Sequence, residues 1–141
     1  MLLVSVVAAL AFGAYRAWAD GRFRGTHAVR GAVPAEAAPE SVLAGHDLGT
    51  ELGTRGTLLQ FSSAFCAPCR ATRRTLADVA AMVPGVVHVE IDAEHHLELV
   101  RRLGILRTPT TLVLDGHGRE VTRAAGAPRR EQVLAALGEL V

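Results

Sequence analysis

Two hydrophobic periods divide the second half of the chain into alternating strands and helices. Residues 57–63 (TLLQFSS) and 86–92 (VVHVEID) are short, mostly apolar runs, as expected of buried strands. The segment between them has apolar residues at helical spacing, at Leu76, Val79, Ala80 and Val83. It therefore predicts a helix that ends at the Pro-Gly pair, residues 84–85.

The rest of the chain continues this alternation. Residues 94–105 predict a helix, residues 110–115 and 119–125 predict two strands joined by a Gly-flanked turn, and residues 129–140 predict a last helix. The order β-α-β-α-β-β-α predicts an α/β fold with a mixed central sheet flanked by helices. We expect the helix-linked strands to be parallel and the hairpin to add an antiparallel edge.

The first 19 residues predict a transmembrane anchor. Residues 2–15 have no charge, but as a helix they would reach only about 21 Å, short of a hydrocarbon core of about 30 Å. If Arg16 extends to the interface and Trp18 lies among the headgroups, the span approaches about 27 Å. Two alternatives stay open, namely a cleaved signal that ends at the A-x-A pattern of residues 17–19 and a buried helix of the domain.

The arginines after this stretch predict its orientation. They follow the apolar run closely, at positions 16, 22, 24 and 30. The positive-inside tendency therefore favours a single-pass protein whose domain is cytoplasmic, the extracytoplasmic side being the alternative. Residues 20–41 are rich in Ala, Pro and Gly without a sustained period and predict a linker, so that the domain covers residues 42–141.

Composition and charge narrow the classes of function. The chain has 141 residues, with 15 basic and 14 acidic side chains and a formal net charge of +1, so we expect no nucleic-acid partner. Every basic residue is Arg, which together with so much Ala, Gly and Val is typical of a GC-rich genome. Two cysteines are too few for a disulfide-stapled secreted scaffold.

Both cysteines lie in FCAPC, residues 65–69, at the predicted junction of strand and helix. A zinc site needs two further N or S ligands, and the chain has neither a second C-x-x-C nor an H-x-x-x-H; the adjacent His95 and His96 would point different ways on a helix. A structural disulfide that closes so small a ring contributes only about 2 kcal/mol. We therefore expect no metal, and a zinc or copper module, a staple and an inert pair stay as alternatives.

The position of the pair favours redox chemistry. At the first turn of a helix, unpaired N–H groups and the positive end of the macrodipole stabilise a thiolate, so Cys66 should ionise readily and attack first. The arginines at positions 70, 73 and 74 add positive charge nearby. Cys69, one turn further along, would then attack the mixed disulfide and release the product. Pro68 suits this first turn because its missing N–H leaves no helical bond unmade.

These features together resemble the thioredoxin family. FCAPC after a strand, the order of elements and Thr108-Pro109 about forty residues later are similar to the family pattern of W-C-G-P-C followed by a cis-proline loop. The likeness covers roughly residues 42–141. It implies a thioredoxin-like fold for this part of the chain, preceded by the predicted transmembrane helix.

The resemblance also implies roles for individual residues. Cys66 would be the nucleophile, Cys69 the resolving thiol and Pro109 the cis-proline that faces them. Thr108 would offer backbone groups to an extended substrate segment, as in strand addition. The supporting residues implied beside this site are Phe65, Ala67, Pro68 and Gly126.

Four positions differ from the family pattern or suggest a further role. Phe65 replaces Trp and Ala67 replaces Gly, so the redox potential cannot be deduced from the sequence. Gln60 lies where the family keeps a buried Asp that assists proton movement, and an amide cannot titrate. His88 aligns with a strand position near that Asp, so we predict it as a possible proton shuttle.

The sequence thus predicts a membrane-tethered thiol–disulfide oxidoreductase similar to thioredoxin-fold proteins of bacteria. Its partners would be protein disulfide substrates, an unidentified electron donor or reductase, and the membrane through the N-terminal helix. The chemistry needs no cofactor, because the two thiols supply the electrons. The alternative from another class is a non-catalytic adaptor that binds a partner near Pro109.

Overall fold

The computed structural model describes residues 2–25, 41–45 and 47–140. Within these residues the chain forms four helices and five strands. In chain order they are α1 (Leu2–Ala19), β1 (Phe23–Gly25), β2 (Gly56–Ser62), α2 (Ala67–Met82), β3 (Val86–Asp92), α3 (Leu97–Arg102), β4 (Thr110–Asp115), β5 (Glu120–Ala125) and α4 (Arg130–Gly138).

The strands form one mixed sheet in the order β1-β5-β4-β2-β3. β2 lies between β4 and β3, and all seven of its residues are buried, as its apolar run predicts. It is parallel to β3, to which α2 connects it, and antiparallel to β4. The mixed α/β sheet predicted from the sequence is therefore confirmed.

One predicted strand direction is wrong. β3 and β4 are linked through α3, yet β4 is antiparallel to β2 and therefore to β3. The six residues of α3 span about 9 Å, less than half of the about 23 Å that the seven-residue strand β3 spans. The helix alone therefore does not carry the chain back along the sheet, and β4 begins at the end where β3 stops.

Two apolar clusters lie on opposite faces of the sheet. One face packs β2 and β4 side chains such as Leu59, Phe61 and Leu112 with Leu99 of α3. The other packs Leu58 and its neighbours with α2 and α4. Because β2 alternates its side chains between both clusters, it fixes the position of the segment that follows it, which contains the cysteines.

The N-terminal stretch is helical over 18 residues, and its side chains are exposed from residue 3 to residue 18. This exposure contradicts the alternative of a buried helix. Among the residues that the structure describes, no helix is both long and apolar enough to cross a membrane. At about 1.5 Å per residue, α1 reaches about 27 Å. The predicted transmembrane anchor is therefore not confirmed, and the cellular location stays a prediction.

Part of the predicted linker belongs to the sheet. Residues 23–25 form β1, which pairs antiparallel with β5, so the hairpin strand β5 is not an edge strand as predicted. This strand was not predicted, because three residues are too few to show a period. Its Phe23 packs against the cluster on the α2 and α4 side of the sheet. Residues 26–40 of the predicted linker lie outside the described residues.

Candidate redox site

The cysteine pair lies at the N-terminus of α2, as predicted. Cys66 is the N-cap residue in extended conformation, and its sulfur accepts a hydrogen bond from the Cys69 N–H over 3.2 Å. Pro68 lies in the first turn, where a backbone N–H has no helical partner. The sulfur of Cys66 therefore lies at the positive end of the helix macrodipole.

Cys66 and Cys69 form a disulfide whose Cα atoms are 5.2 Å apart. The two sulfurs differ in accessibility, because Cys66 is half-buried whereas Cys69 is only 2% exposed. Solvent can therefore reach the Cys66 sulfur, whereas Cys69 is covered in this arrangement. The separate roles of the two cysteines stay a prediction.

The predicted cis-proline loop lies beside the cysteines. The Thr108–Pro109 peptide bond is cis, as the family resemblance implied. The Thr108 hydroxyl is 3.0 Å from that of Ser63, whose carbonyl accepts the Cys66 N–H. The Pro109 carbonyl accepts the Gly126 N–H over 2.7 Å. These bonds join the cysteine loop, the proline loop and the end of β5 into one surface.

Two large apolar side chains project from this surface. Phe65, directly before the first cysteine, is 100% exposed, and Leu106, in the loop before Pro109, is 96% exposed. Ala67, the first residue of α2, is exposed between the cysteines. Leu106 was not predicted from the sequence, because nothing in its local pattern indicates that the loop leaves it uncovered.

The N-terminal segment reaches the same surface. The Arg107 guanidinium pairs with the Asp20 carboxylate and also donates to the carbonyl of Ala125 over 2.7 Å. Gly126 has a φ of +99°, and a Cβ added there would collide with Asp20. The positive φ is what favours glycine at position 126, because the Asp20 carboxylate is the end of a partly exposed side chain that can move aside.

A polar network lies beneath the buried cysteine. Gln60, fully buried, donates from Nε2 to the Cys69 carbonyl at 3.0 Å and to the Ser62 hydroxyl at 2.9 Å. Its Oε1 lies 3.0 Å from Nε2 of His88, which donates because an amide oxygen only accepts. Ser62 in turn donates to Glu90 over 2.6 Å. Gln60 and His88 are thus brought together, though the network reaches the Cys69 backbone and not its sulfur.

A cavity of about 330 Å³ opens between α2 and the ends of β2 and β3. Both cysteines line it, together with Arg70, Arg73, Glu90 and Asp92. The Arg73 guanidinium forms an ion pair with Glu90, with 2.5 Å between Nε and Oε2. Of the three arginines predicted to add positive charge near Cys66, Arg73 is therefore paired with a carboxylate, whereas Arg70 and Arg74 are exposed to solvent.

The ionisable groups of this network are shifted from their ordinary behaviour. Burial lowers the pKa of His88, Glu90 opposes that effect, and the charge of Arg73 adds to it. For Glu90, burial raises the pKa, but hydrogen bonds from Arg73 and Ser62 and the charge of Arg73 outweigh burial, so its pKa lies below the usual value. At neutral pH, His88 is therefore neutral and Glu90 is ionised.

The shift at His88 predicts a pH-dependent stability. Above its ordinary pKa of about 6.5, both the folded and unfolded states hold it neutral and it contributes no pH dependence. Below that value the unfolded chain binds a proton at His88 more readily than the folded chain does, so the free energy of unfolding decreases as the pH is lowered. We expect His88→Gln to lessen the loss of unfolding free energy between pH 7 and pH 5, measured by urea denaturation. His117→Gln, an exposed control, should leave that loss unchanged; an unchanged profile in His88→Gln would contradict the prediction.

No group of three or more His, Cys, Asp or Glu side chains in the described part of the chain is arranged to hold a metal ion. His95 binds the Asp92 carboxylate through Nδ1 at 2.9 Å, and His96 is the residue before α3. The adjacent histidines, His95 and His96, therefore have different surroundings.

Comparisons with known proteins agree with this geometry. Residues 50–140 match the family model described as a thioredoxin-like domain. Thioredoxin H-type 1 of Nicotiana tabacum is 31% identical over 74 residues, which are 52% of this chain and 58% of that protein. Thioredoxin of Alicyclobacillus acidocaldarius is 29% identical over 90 residues, 63% of this chain and 85% of that protein. The crystal structure of thioredoxin NaTrxh from Nicotiana alata aligns with a TM-score of 0.54 at 23% identity, covering 61% of this chain and 73% of the other, and supports the fold alone.

A two-cysteine pair at a helix N-terminus beside a cis-proline defines the class, and the match over residues 50–140 assigns the chain to it: the chain belongs to the thioredoxin-like domain family. The chain spans about half the length of several plant relatives that it matches. The relatives come from plants and from a bacterium, so the predicted bacterial origin stays a prediction.

Sequence reasoning missed two residues of the network, Ser62 and Glu90. A signal was present, because β3 has a period of two and His88 and Glu90 must share a face. The pairing of Gln60 with Glu90 across the parallel strands could not be deduced, since register depends on packing that the sequence pattern does not specify.

Proposed function

We propose that this chain is a thiol–disulfide oxidoreductase that acts on protein disulfides through Cys66 and Cys69. The observation that supports this most directly is the disulfide at the N-terminus of α2, in which one sulfur is accessible and the other is buried. A staple would not need this difference in exposure. A ring of this size also contributes only about 2 kcal/mol to stability.

The reaction follows from the positions of the two sulfurs. In the dithiol form, the Cys66 thiolate attacks a substrate disulfide; a Cys66–substrate bond forms, and the second substrate sulfur leaves as a thiolate that takes up a proton. Cys69, deprotonated, then attacks Cys66 and releases the first substrate sulfur. The substrate gains two electrons, and the pair is left as the Cys66–Cys69 disulfide. An electron donor, such as a reductase, must return two electrons before the next cycle.

The surface around Cys66 suits an extended substrate segment. Thr108 and Pro109 border the cysteines at the start of β4, where a substrate backbone could add alongside. Phe65, next to Cys66, and Leu106, in the loop before Pro109, are both almost fully exposed and offer apolar surface to such a segment. We infer that the substrates are proteins whose disulfide lies in an accessible, partly apolar segment.

A trapping experiment tests the proposal. In Cys69→Ser the attacking thiol stays and the resolving thiol is removed, so the reaction should stop at the mixed disulfide. We expect intact-mass spectrometry to detect a covalent adduct between this variant and insulin that dithiothreitol releases. The matched control is Cys66→Ser, which should form at least about tenfold less adduct because the remaining Cys69 is 2% exposed.

Two results would argue against the proposal. Equal adducts in both variants would mean that the two sulfurs are not distinguished by position. Absence of adduct in Cys69→Ser would favour the alternative of an adaptor that binds through Phe65 and Leu106 without exchanging thiols.

A further inference from the structure

Because Cys69 is buried, its thiol needs a nearby group to accept its proton, and neither cysteine supplies one. Resolution of the mixed disulfide requires the Cys69 thiolate, because the thiol is a poor nucleophile. Burial disfavours that anion, and only 2% of the residue is exposed. A group near Cys69 must therefore accept its proton at the time of attack.

The residue directly beneath Cys69 cannot accept a proton. Gln60 donates its amide hydrogens to the Cys69 carbonyl and to Ser62, and its oxygen accepts from His88. An amide has no accessible protonation state near neutral pH. Gln60 therefore holds the backbone of Cys69 in position, and the proton must leave by another route.

Glu90 lies on such a route. It is the register partner of Gln60 on the adjacent parallel strand, and its carboxylate accepts a hydrogen bond from the Ser62 hydroxyl at 2.6 Å. It also lines the same cavity as Cys69. The cavity of about 330 Å³ is larger than the roughly 30 Å³ that one water occupies in the liquid, so water can join thiol and carboxylate. Its side chain is 23% exposed, so an accepted proton can pass on to solvent.

The two other candidates are less well placed. Asp92 also lines the cavity, but its oxygens accept from the Glu94 N–H and from His95, which follow the end of β3, whereas Glu90 accepts from Ser62, which bonds to Gln60 beneath Cys69. His88 directs its Nε2 hydrogen to Gln60 and does not line the cavity that contains the cysteines.

We propose that Glu90 is the residue that receives the proton of Cys69, through water in the cavity, when Cys69 attacks the mixed disulfide. This inference rests on the proposed function. The Cys69 S–H bond breaks and its proton passes to the Glu90 carboxylate; the sulfur's electron pair forms the bond to Cys66, and the Cys66–substrate bond breaks. The released substrate thiolate takes up a proton from Glu90 or from solvent, so that charge balances over the step.

Several charged groups surround Glu90 and define the controls. They are Arg70 and Arg73 of α2, His88 and Asp92 of β3, and Asp47 and His96, which line a second cavity of about 250 Å³ together with Glu90. Arg73 makes the closest contact with Glu90, because its guanidinium binds both carboxylate oxygens. A variant of Glu90 therefore removes an ion pair as well as a base, and the two effects must be separated.

Single-turnover reduction of 5,5′-dithiobis(2-nitrobenzoate) resolves the step. The first thionitrobenzoate reports attack by Cys66, and its rate depends on reagent concentration; the second reports resolution by Cys69, and its rate does not. We expect Glu90→Gln to slow the second phase about a hundredfold at pH 7, the lower end of what general base catalysis contributes, and to leave the first phase unchanged. The second phase of the variant should also rise steeply with pH, since bulk hydroxide must replace the carboxylate.

The controls make the assignment specific. Arg73→Gln breaks the same ion pair but keeps the carboxylate, and should retain a fast second phase, as should His88→Gln and Asp92→Asn. Glu90→Asp should restore part of the rate. In the wild-type protein the second phase should be slower in deuterium oxide, a test that does not depend on the folding of any variant.

The outcomes separate this inference from the proposed function. A wild type that releases no thionitrobenzoate would contradict the proposed function itself. If the wild-type protein shows both phases and the second phase of Glu90→Gln is within twofold of the wild-type rate at every pH, only the role of Glu90 is overturned. Equal slowing by Arg73→Gln would assign the effect to the ion pair, and slowing by His88→Gln alone would assign the proton to His88; either result overturns the inference.

Discussion

Replacing Cys66 with serine should reduce the rate of insulin reduction, with dithiothreitol as electron donor, to the uncatalysed background. We expect a loss of at least about a thousandfold, because the substitution removes the nucleophile and the remaining Cys69 is buried. A hydroxyl at the same position cannot replace a thiolate, even at the N-terminus of α2. Turbidity from the precipitating insulin B chain measures the rate.

The control for this prediction must separate chemistry from folding. Cys66→Ser also removes the disulfide, so the matched reference is the reduced wild-type protein. We expect the two proteins to have the same urea midpoint. Residual activity above one hundredth of the wild-type rate in a folded variant would show that Cys66 is not the attacking sulfur.

The largest effect on stability should come from Phe61. It is the second-last residue of β2, is fully buried and packs within the cluster between the sheet and α3. Truncation to alanine removes the aromatic ring and leaves a cavity, so we expect Phe61→Ala to lower the free energy of unfolding by about 3–5 kcal/mol. This is a large fraction of the roughly 5–15 kcal/mol typical of a whole domain. Urea denaturation followed by circular dichroism measures the change.

Phe65 provides the matched control for this truncation. It is the same residue type only four positions later, yet it is 100% exposed. Phe65→Ala should therefore change the free energy of unfolding by less than about 0.5 kcal/mol, as for surface substitutions in general. Similar losses in both variants would contradict the assignment of Phe61 to the core.

Most of the domain could be predicted because its signals are local. The apolar run of β2 and the helical spacing of Leu76 and Val79 arise within single elements, and both appear where expected. The N-terminal position of Cys66 on α2 follows from the adjacency of these two elements. The cis bond before Pro109, in contrast, was expected only through the family resemblance, because an isolated Thr-Pro pair does not specify it.

What could not be predicted depends on contacts between distant segments. The pairing of β1 with β5 joins residues about a hundred positions apart, and three residues contain no period to indicate it. The ion pair between Arg73 and Glu90 likewise depends on how α2 packs across β3. Such contacts are decided by tertiary packing, which overrides the local preference of short segments.

The strand order also bears on how molecules of this protein meet one another. Within the part of the chain that the structure describes, the sheet ends at β1 on one side and at β3 on the other. Because β1 has only three residues, the longer free row of backbone groups runs along the seven residues of β3. Charged or polar side chains follow this row at His88, Glu90 and Asp92, and a second molecule pairing there would have to bring its own copies of these groups close to them. Natural sheets discourage edge-to-edge aggregation in this way. A short N-terminal strand and a polar outer strand together leave this sheet a poor template for growth.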